Sequence, residues 1–380
     1  DGKGVETAFD GDIVEIITAD TPFYGESGGQ VGDTGAIVGK GFSIAVTDTK
    51  KPVNDLITHV CRVDAGSVSV GDEAELVPDM ERRDATRRNH TATHILHAIL
   101  RKHIGEHVRQ AGSLVEPTGL RFDFNHFEAI GAETLRAIEE EANRAVLKNI
   151  EVSTDVLSFD EAVKRGALAF FGEKYGATVR MVSVPGVSAE LCGGTHVNRT
   201  GDIGVIKIIG EGSVASGVRR LEAVTGESAL KTVTEAEDAL KESAQMLKVP
   251  RQDVPDKIRK LLADQKELQK EIERLKGKGK AASAGDLLDN VRKINGVSVL
   301  ATKVEAADAK ELREMADALR AKIGSGIVVL AAVQDSKALL LAAVTKDLAK
   351  KYSAGEIIKR LAPTVGGKGG GKEDLAQAGG

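Results

Sequence analysis

Two short motifs, far apart in the sequence, constrain the fold of this chain more than any other feature. His90-Thr-Ala-Thr-His94 has two histidines four positions apart, which lie one turn apart on the same face of a helix. Cys192-Gly-Gly-Thr-His196 has a thiol and an imidazole on either side of a Gly-Gly turn. Three imidazoles and one thiolate form a closed tetrahedral zinc site. We therefore expect the fold to bring these four side chains together around Zn²⁺.

Cys192 has two possible roles in such a site. As a zinc thiolate it would organise the site, whereas as a free nucleophile it would attack an ester with a nearby histidine as the base. The spacing to His196 and the presence of the other histidine pair favour the zinc ligand. Four protein ligands leave no open position for water, so the metal is either structural or exchanges one ligand for substrate.

His103 and His107 are also four positions apart, and they serve as a comparison. Gly105 lies between them, where we expect the helix to end, so their rings need not share a face. We do not expect this second pair to bind a metal.

The bulk composition sets limits on the class of protein. A chain of 380 residues is long enough for two or three domains. It has no apolar run of the roughly 18 residues that a membrane span needs, so we expect no membrane partner. Cys61 and Cys192 are the two cysteines and lie far apart, which favours a reducing cytoplasm. A net charge of −5 and 3 % aromatic residues argue that any contact with nucleic acid is local.

The first two predicted domains are a small β-barrel over residues 1–80 and an α+β domain over 81–226. Short β segments broken by Gly and Asp fill the first of these ranges. A helix is predicted over about 81–103, with Asp84 as its N-cap and Gly105 as its stop, and a second one near 131–148.

A helical spacer over 227–285 and a C-terminal α/β domain over 286–380 are predicted to follow. One helix ends before Val249-Pro250, and a second begins near Pro255 with apolar residues in an a/d pattern. This pattern fits either a dimerising coiled coil or an antiparallel hairpin with the preceding helix, and the short run favours the hairpin. The stretch Gly277 to Gly285, rich in Lys, Gly, Ala and Ser, is predicted to be a flexible linker.

With its two histidine and cysteine motifs, the sequence resembles the zinc signature of alanyl-tRNA synthetase editing domains and their free-standing relatives. Residues 23–33 resemble the Gly-rich barrel motif of that family, residues 107–114 its pocket strand, and residues 120–124 the strand after it. The tail at 369–380 is similar to the C-terminal domain shared with DHH-type phosphoesterases. The likeness therefore covers nearly the whole chain.

The resemblance implies an α+β multidomain protein with a small β-barrel, a zinc-containing editing domain, a helical hairpin spacer and a C-terminal α/β domain of DHH-associated type. It implies hydrolysis of the ester in wrongly charged tRNA(Ala), and tRNA(Ala) as the partner. A homodimer through the spacer or the C-terminal domain is compatible with it. The resemblance implies that Thr93, Gln110 and Ser113 line the pocket and that Gln30 contacts the tRNA. With Cys192, the three pocket residues are the candidate catalytic residues. Lys368 and Lys372 are candidate tRNA-binding residues because ammonium groups beside glycines suit contacts to phosphate.

Other functions remain open at this stage. A free-standing trans-editing deacylase would share all these motifs, although the absence of an initiator Met favours a fragment of a longer protein. A non-catalytic tRNA-binding module would need the zinc site only for folding. A metal-dependent phosphoesterase lacks support, since the sequence has no Asp-His-His motif. We expect alanine activation and ATP binding to lie outside this sequence.

Overall fold

The computed structural model of the chain describes residues 3–53, 56–168, 176–306, 308–334 and 337–380, with the backbone alone for residues 276–286. It consists of two compact units, Asp1–Glu242 and Ser243–Gly380. Within the described ranges, no helix combines the length and the apolar character that crossing a lipid bilayer requires.

The first unit begins with two small antiparallel sheets. Their strands are β1 (Thr7–Phe9), β2 (Ile13–Ile16), β3 (Gly35–Gly39), β4 (Phe42–Val53), β5 (Leu56–Ala65), β6 (Ser67–Ser69) and β7 (Ala74–Pro78). One sheet has the order β2-β5-β4-β3-β7, and β1 pairs with β6. In β4 the alternate residues Phe42, Ile44 and Val46 are buried, as expected for a strand with one face on a core. The predicted strands are present, while closure into a barrel stays a prediction.

The rest of this unit is α+β, as expected. Its elements are α1 (Met80–Ile104), β8 (Gln110–Glu116), β9 (Gly119–Asn125), α2 (Ala132–Leu147), β10 (Ser153–Ser158), α3 (Phe159–Lys164), β11 (Thr178–Val184), β12 (Ser188–Leu191), β13 (Ile206–Ala215) and β14 (Val218–Thr225). A four-stranded sheet has the order β13-β14-β9-β8, and α1 and α2 share its main core. A second sheet, β10-β11-β12, ends next to Cys192.

The N-cap of helix α1 lies five residues before the predicted one. Asp79 caps it by accepting a 3.0 Å hydrogen bond from Arg82 N, so the prediction of Asp84 as the cap is wrong. Asp84 instead pairs with Arg87 at 2.8 Å inside the helix. The predicted stop is confirmed, because Gly105 has a φ of +139° and its N–H bonds Arg101 O. A β-carbon at that φ would be strained.

Two long helices and an α/β domain come next along the chain. The boundary between the units lies in the first of these helices, which belongs to the first unit up to Glu242. The elements are α4 (Gly226–Leu247), α5 (Val254–Leu288), β15 (Arg292–Ile294), β16 (Val297–Lys303), α6 (Ala309–Ile323), β17 (Gly326–Gln334), β18 (Lys337–Val344), α7 (Lys346–Ala349), α8 (Ala354–Leu361), β19 (Lys368–Gly371) and β20 (Leu375–Gly379). Their sheet has the order β15-β16-β17-β18-β20-β19, with β16 and β17 parallel.

One expectation for this second part needs correction. The stretch Gly277 to Gly285 is not a linker, because α5 runs through it. A helix already nucleated near Pro255 extends at little cost, and Lys and Ala favour it enough to offset the glycines. The glycine-rich tail is ordered as the β19–β20 hairpin. Apolar side chains of α5 such as Leu261 and Leu268 are exposed, so the choice between hairpin and coiled coil stays a prediction.

A buried ion pair joins the N-terminal sheet region to α1. Arg83 donates to Asp33 Oδ2 from Nε at 3.0 Å and to Pro22 O from Nη2 at 2.6 Å. The same Asp33 oxygen accepts from Tyr24 N at 2.6 Å. Both charged side chains are at most 10 % exposed. Burial of a charge is tolerated only when it is paired and hydrogen-bonded, so this contact fixes the start of α1 against the Gly-rich turn.

We expect Asp33→Ala to lower the free energy of unfolding by about 3 to 5 kcal/mol, because it leaves the Arg83 charge buried without its partner. Asp84→Ala is the matched control. It removes an exposed pair on the same helix and should cost less than about 1 kcal/mol. Urea unfolding followed by circular dichroism measures both values, and equal losses would contradict the assignment.

His59 is a buried histidine in β5. Its Nδ1 donates to Ile16 O at 2.9 Å, and its Nε2 accepts from Thr21 Oγ1 at 2.8 Å. Burial lowers the pKa of His59 below its ordinary value of 6.5, and the hydrogen bond to Ile16 only partly opposes this. The folded protein therefore holds this ring neutral at a pH where the unfolded chain binds a proton.

We expect the free energy of unfolding to fall as the pH drops below about 6.5, since the unfolded state then takes up a proton that folded His59 excludes. The contribution of one residue is at most about 1.4 kcal/mol per pH unit. Urea unfolding between pH 7.5 and 5.5 should show a steeper fall for the wild type than for His59→Gln. Identical slopes would rule out a role for this residue.

Candidate metal centre

The structure brings the four predicted ligands together. His90 and His94 project from the same face of α1, and Cys192 and His196 lie on the loop after β12. The donor atoms of these four residues all lie within 4.8 Å of one another. Cys192 N donates to Arg180 O at 3.0 Å. The first residue of the loop is therefore still hydrogen-bonded to β11.

The loop approaches α1 closely because residue 194 has no side chain. A β-carbon at Gly194 would lie 2.0 Å from His90 Cε1, which no side chain could accommodate. Arg180 holds the loop from the other side, since its Nη1 donates to Cys192 O at 2.9 Å and to Gly194 O at 2.6 Å. Gly194 is therefore needed for the close contact with α1, whereas a β-carbon at Gly193 would meet nothing within 4 Å.

The distances at the centre fit a tetrahedral zinc ion. Cys192 Sγ lies 3.4 Å from His90 Nε2 and 3.4 Å from His196 Nε2. Zinc–nitrogen bonds of about 2.0 to 2.1 Å and a zinc–sulfur bond of about 2.3 Å place the sulfur and nitrogen ligands roughly 3.5 Å apart. These four residues could hold a metal without a large rearrangement of their side chains.

Each of the three imidazoles has its other nitrogen, Nδ1, next to an oxygen atom. His90 Nδ1 lies 2.7 Å from Gln30 Oε1 and His196 Nδ1 lies 3.1 Å from Thr91 Oγ1, and both contacts are hydrogen bonds. His94 Nδ1 lies 3.4 Å from Glu190 Oε2, which is an ion-pair contact without a hydrogen bond. Thr91 donates its own hydroxyl proton to Arg87 O, so it accepts from His196. An Nδ1–H that is donated to such a partner leaves Nε2 as the bare nitrogen that binds a metal.

Charge in the centre favours the thiolate form of Cys192. Burial alone would raise the pKa of this thiol, but the positive charges of His90 and His94 hold it well below its usual range. Burial also lowers the pKa of His196 to about 3, which keeps that ring neutral. Thiolate and neutral imidazole are the forms that bind zinc. Burial lowers the pKa of His94, but the charges of Glu190 and Cys192 outweigh it and raise this pKa to about 9. Zinc binding would therefore displace a proton from His94.

The remaining histidines near α1 lie away from the four ligand atoms. His97 Nδ1 is 3.0 Å from Glu190 Oε1, and its ring packs on Phe122. His103 pairs with Glu141 on the surface. His107 contacts His126 rather than His103, as the break at Gly105 led us to expect.

Three of the predicted pocket residues are placed on α1 and β8. Thr93 is buried, and its hydroxyl donates to Asn89 O at 2.9 Å. In β8, Ser113 lies opposite Phe122 and Gln110 opposite Phe124, so both side chains share the sheet face that packs against α1. Ser113 and Gln110 are only partly buried. Their catalytic roles stay a prediction.

Gln30 does not lie where the sequence led us to expect. We predicted a contact with tRNA, but Gln30 is 1 % exposed and its side chain bonds His90 and Thr195. The enclosed side chain does not support a contact between Gln30 and tRNA, which stays a prediction. Lys368 and Lys372, by contrast, are exposed on the β19–β20 hairpin.

Sequence reasoning missed three residues that shape the centre, namely Gln30, Arg180 and Glu190. No spacing rule links any of them to the ligand motifs, because each comes from a different strand or turn. The only sequence signal that could have indicated one of these contacts was the position of Gln30 directly after Gly28-Gly29.

Family models match three stretches of the chain. The model described as "tRNA synthetases class II (A)" matches residues 1–82, "Threonyl and Alanyl tRNA synthetase second additional domain" matches 179–222, and "DHHA1 domain" matches 296–380. The second stretch contains Cys192 and His196. The fold and the centre thus define the class of the chain, which is that of the class II aminoacyl-tRNA synthetases with an additional editing-type domain.

Curated relatives narrow the class to a family. The chain is 50 % identical over 379 residues to an alanine–tRNA ligase of Anaeromyxobacter dehalogenans and 49 % identical over 380 residues to that of Desulfosudis oleivorans. All of this chain is covered, but only 42 % and 43 % of those relatives. The chain belongs to the alanyl-tRNA synthetase family, and it spans less than half the length of these members.

Solved structures match as well. The C-Ala domain from Aquifex aeolicus alanyl-tRNA synthetase is 30 % identical to this chain, over 24 % of this chain and 81 % of that one, with a TM-score of 0.23.

We expect His94→Ala to reduce bound zinc from about one ion per chain to near zero, because it removes one of four ligands from a buried centre. His103→Ala is the matched control. It deletes a histidine from the same helix whose ring contacts surface Glu141, and it should leave the zinc content unchanged. Atomic emission after dialysis measures both, and full zinc in His94→Ala would overturn the ligand assignment.

Proposed function

We propose that the chain hydrolyses the ester between a wrong amino acid and the terminal ribose of tRNA(Ala), with Ser-tRNA(Ala) and Gly-tRNA(Ala) as substrates. The observation that carries this proposal is the position of Thr93 next to His94, in a helix whose two histidines meet Cys192 and His196. Thr93 also lies three residues after His90, so the proposed pocket hydroxyl is a neighbour of one ligand on the helix surface. This supports the proposal in a chain of the alanyl-tRNA synthetase family.

The need for such a reaction follows from the size of alanine. A pocket that accepts alanine excludes glycine or serine by only about 1 to 3 kcal/mol, which is too little for accurate protein synthesis. A second site that removes the wrong amino acid after attachment supplies the missing discrimination. In the parent enzyme, we propose that alanine is attached to tRNA(Ala) with ATP in a region outside this sequence.

We propose that Thr93 recognises serine as a hydrogen-bond acceptor. Its own proton is directed to Asn89 O, so only the lone pairs of Oγ1 are available to a substrate. The hydroxyl of serine can donate to this oxygen, and the methyl group of alanine cannot. Correctly charged tRNA would therefore leave this acceptor unsatisfied, which disfavours its binding.

Gln110 and Ser113 are the proposed opposite wall of the pocket. They lie on the face of β8 that packs against α1, next to the turn at Gly29. A β-carbon at Gly29 would lie 2.5 Å from Ser113 O, so the turn and the strand are in direct contact. The partly exposed amide and hydroxyl can hold the amino acid or the attacking water.

The proposed metal is Zn²⁺ with a structural role. When bound, it would complete four bonds to protein and join α1 to the loop after β12. Cys192 is then a ligand rather than a nucleophile, since two ring nitrogens flank its sulfur. The protein groups that remain to act on the ester are the hydroxyl oxygen of Thr93 and the side chains of Gln110 and Ser113.

The tRNA itself is the proposed partner of the C-terminal domain. Lys368 and Lys372 are exposed on the β19–β20 hairpin, where glycines allow close approach of a backbone. Ammonium groups and free backbone N–H groups bind phosphate without reading a sequence. We propose that this hairpin contacts the tRNA backbone.

The purified chain should release serine and glycine from tRNA(Ala) quickly and should spare Ala-tRNA(Ala). Release of labelled amino acid measures the three rates. A chelator that removes the zinc should abolish the first two, because the pocket helix then loses its tie to the loop. Survival of all three esters with retained tRNA binding would instead support a non-catalytic binding module.

Thr93→Val tests the proposed role of Thr93 in the release of serine. We expect it to slow serine release by at least about tenfold, the effect of losing one hydrogen bond of roughly 1.4 kcal/mol. Thr86→Val is the matched control. Thr86 is also buried in α1 and also donates to the carbonyl four residues back, at 3.0 Å. If both variants slow serine release equally, the slowing comes from a change in helix α1 and not from the loss of a pocket hydroxyl.

A further inference from the structure

Gln30 lies at the end of a rigid turn that packs against β8. Gln30 N donates to Ser27 O at 3.0 Å, and Gly28 and Gly29 both have positive φ, +60° and +84°. Val115 N donates to Gly29 O at 2.7 Å, and Val31 N donates to Val115 O at 3.1 Å. The backbone on both sides of Gln30 is therefore fixed, and its side chain has a defined direction.

The amide of Gln30 makes three hydrogen bonds inside the protein. Its Oε1 accepts from Thr195 N at 2.9 Å and lies 2.7 Å from His90 Nδ1, and its Nε2 donates to Thr195 Oγ1 at 2.9 Å. A backbone N–H can only donate, so the atom that faces Thr195 N is the amide oxygen. The same oxygen can only accept from His90, which fixes Nδ1 as the protonated nitrogen. The bare Nε2 of His90 then points at Cys192.

We propose that Gln30 is a positioning residue for the metal centre. This inference rests on the proposed metal centre. One side chain holds a ligand of α1 in its metal-binding tautomer and holds Thr195, which lies directly before the ligand His196, in place. The N-terminal sheet region thus supplies part of the centre although it supplies none of the four ligands. A residue with this role acts through His90 and does not touch substrate.

The proposal explains why an amide occupies this site. Leucine has a similar volume but offers no acceptor, so Gln30→Leu would leave His90 Nδ1–H and Thr195 N–H buried without partners. Glutamate has two acceptor oxygens. One can take the place of the glutamine oxygen, and the Thr195 hydroxyl can donate to the other. The effect of the substitution should therefore depend on acceptor capacity rather than on size.

Zinc affinity of the full chain tests this inference through competition with a chromophoric chelator. We expect Gln30→Leu to bind zinc about 10 to 100 times more weakly than the wild type, the usual effect of losing a hydrogen-bond partner of a ligand. We expect Gln30→Glu to stay within about tenfold of the wild type. The visible spectrum of the Co²⁺-loaded protein should lose its tetrahedral intensity in the leucine variant and keep it in the glutamate variant.

Asn143→Leu is the matched control. Asn143 is another side-chain amide in the first unit, and it bonds both Ile206 O at 2.8 Å and Ile206 N at 2.9 Å. Its loss should lower stability and leave the Co²⁺ spectrum unchanged. This variant separates a general loss of stability from a specific loss at the centre.

The outcomes separate the two proposals. If the wild-type chain binds no zinc, the metal centre itself is wrong and this inference is wrong with it. If the wild type binds zinc and Gln30→Leu binds it equally well, only the role of Gln30 is overturned. If the leucine variant does not fold, the glutamate variant alone tests the role of Gln30. Weak zinc affinity and an altered Co²⁺ spectrum of Gln30→Glu would then overturn this role.

Discussion

The fold of the first unit depends on burying three imidazoles and one thiol around a single point. Polar groups in a protein interior are stable only when each has a partner, so the ligands require more than the metal. The Nδ1 atoms of the three rings meet Gln30, Thr91 and Glu190, and these come from a turn, a helix and a strand. The centre is therefore a point at which separate elements of the first unit are tied together.

Much of this architecture could be predicted from the sequence because the relevant signals are local. The four ligands carry their own spacing, and Gly105 ends α1 as a glycine with positive φ should. The N-cap was misassigned because both Asp79 and Asp84 precede apolar residues, and only the path of β7 decides between them. Residues 277–285 are helical because a long helix already extends into them, an effect that composition does not show.

The parts that could not be predicted are long-range contacts. Gln30 and Glu190 are ordinary polar residues in sequence, and nothing near them signals that they face a histidine. Chemical type alone suggested an exposed role for Gln30, whereas packing encloses it. Likewise Asp33 looks like one more residue of a Gly-rich loop until Arg83 is seen next to it. Such partners are selected by the three-dimensional arrangement and leave no periodic pattern.

The order of strands in the second unit has a consequence for synthesis on the ribosome. Strand β20 is made after both β18 and β19, yet it lies between them in the sheet. Until residues 375–379 emerge, β18 presents an unpaired edge and β19 has no neighbour to pair with. Open edges of this kind recruit strands from other chains. The nascent domain is thus exposed to aggregation until β20 closes the gap.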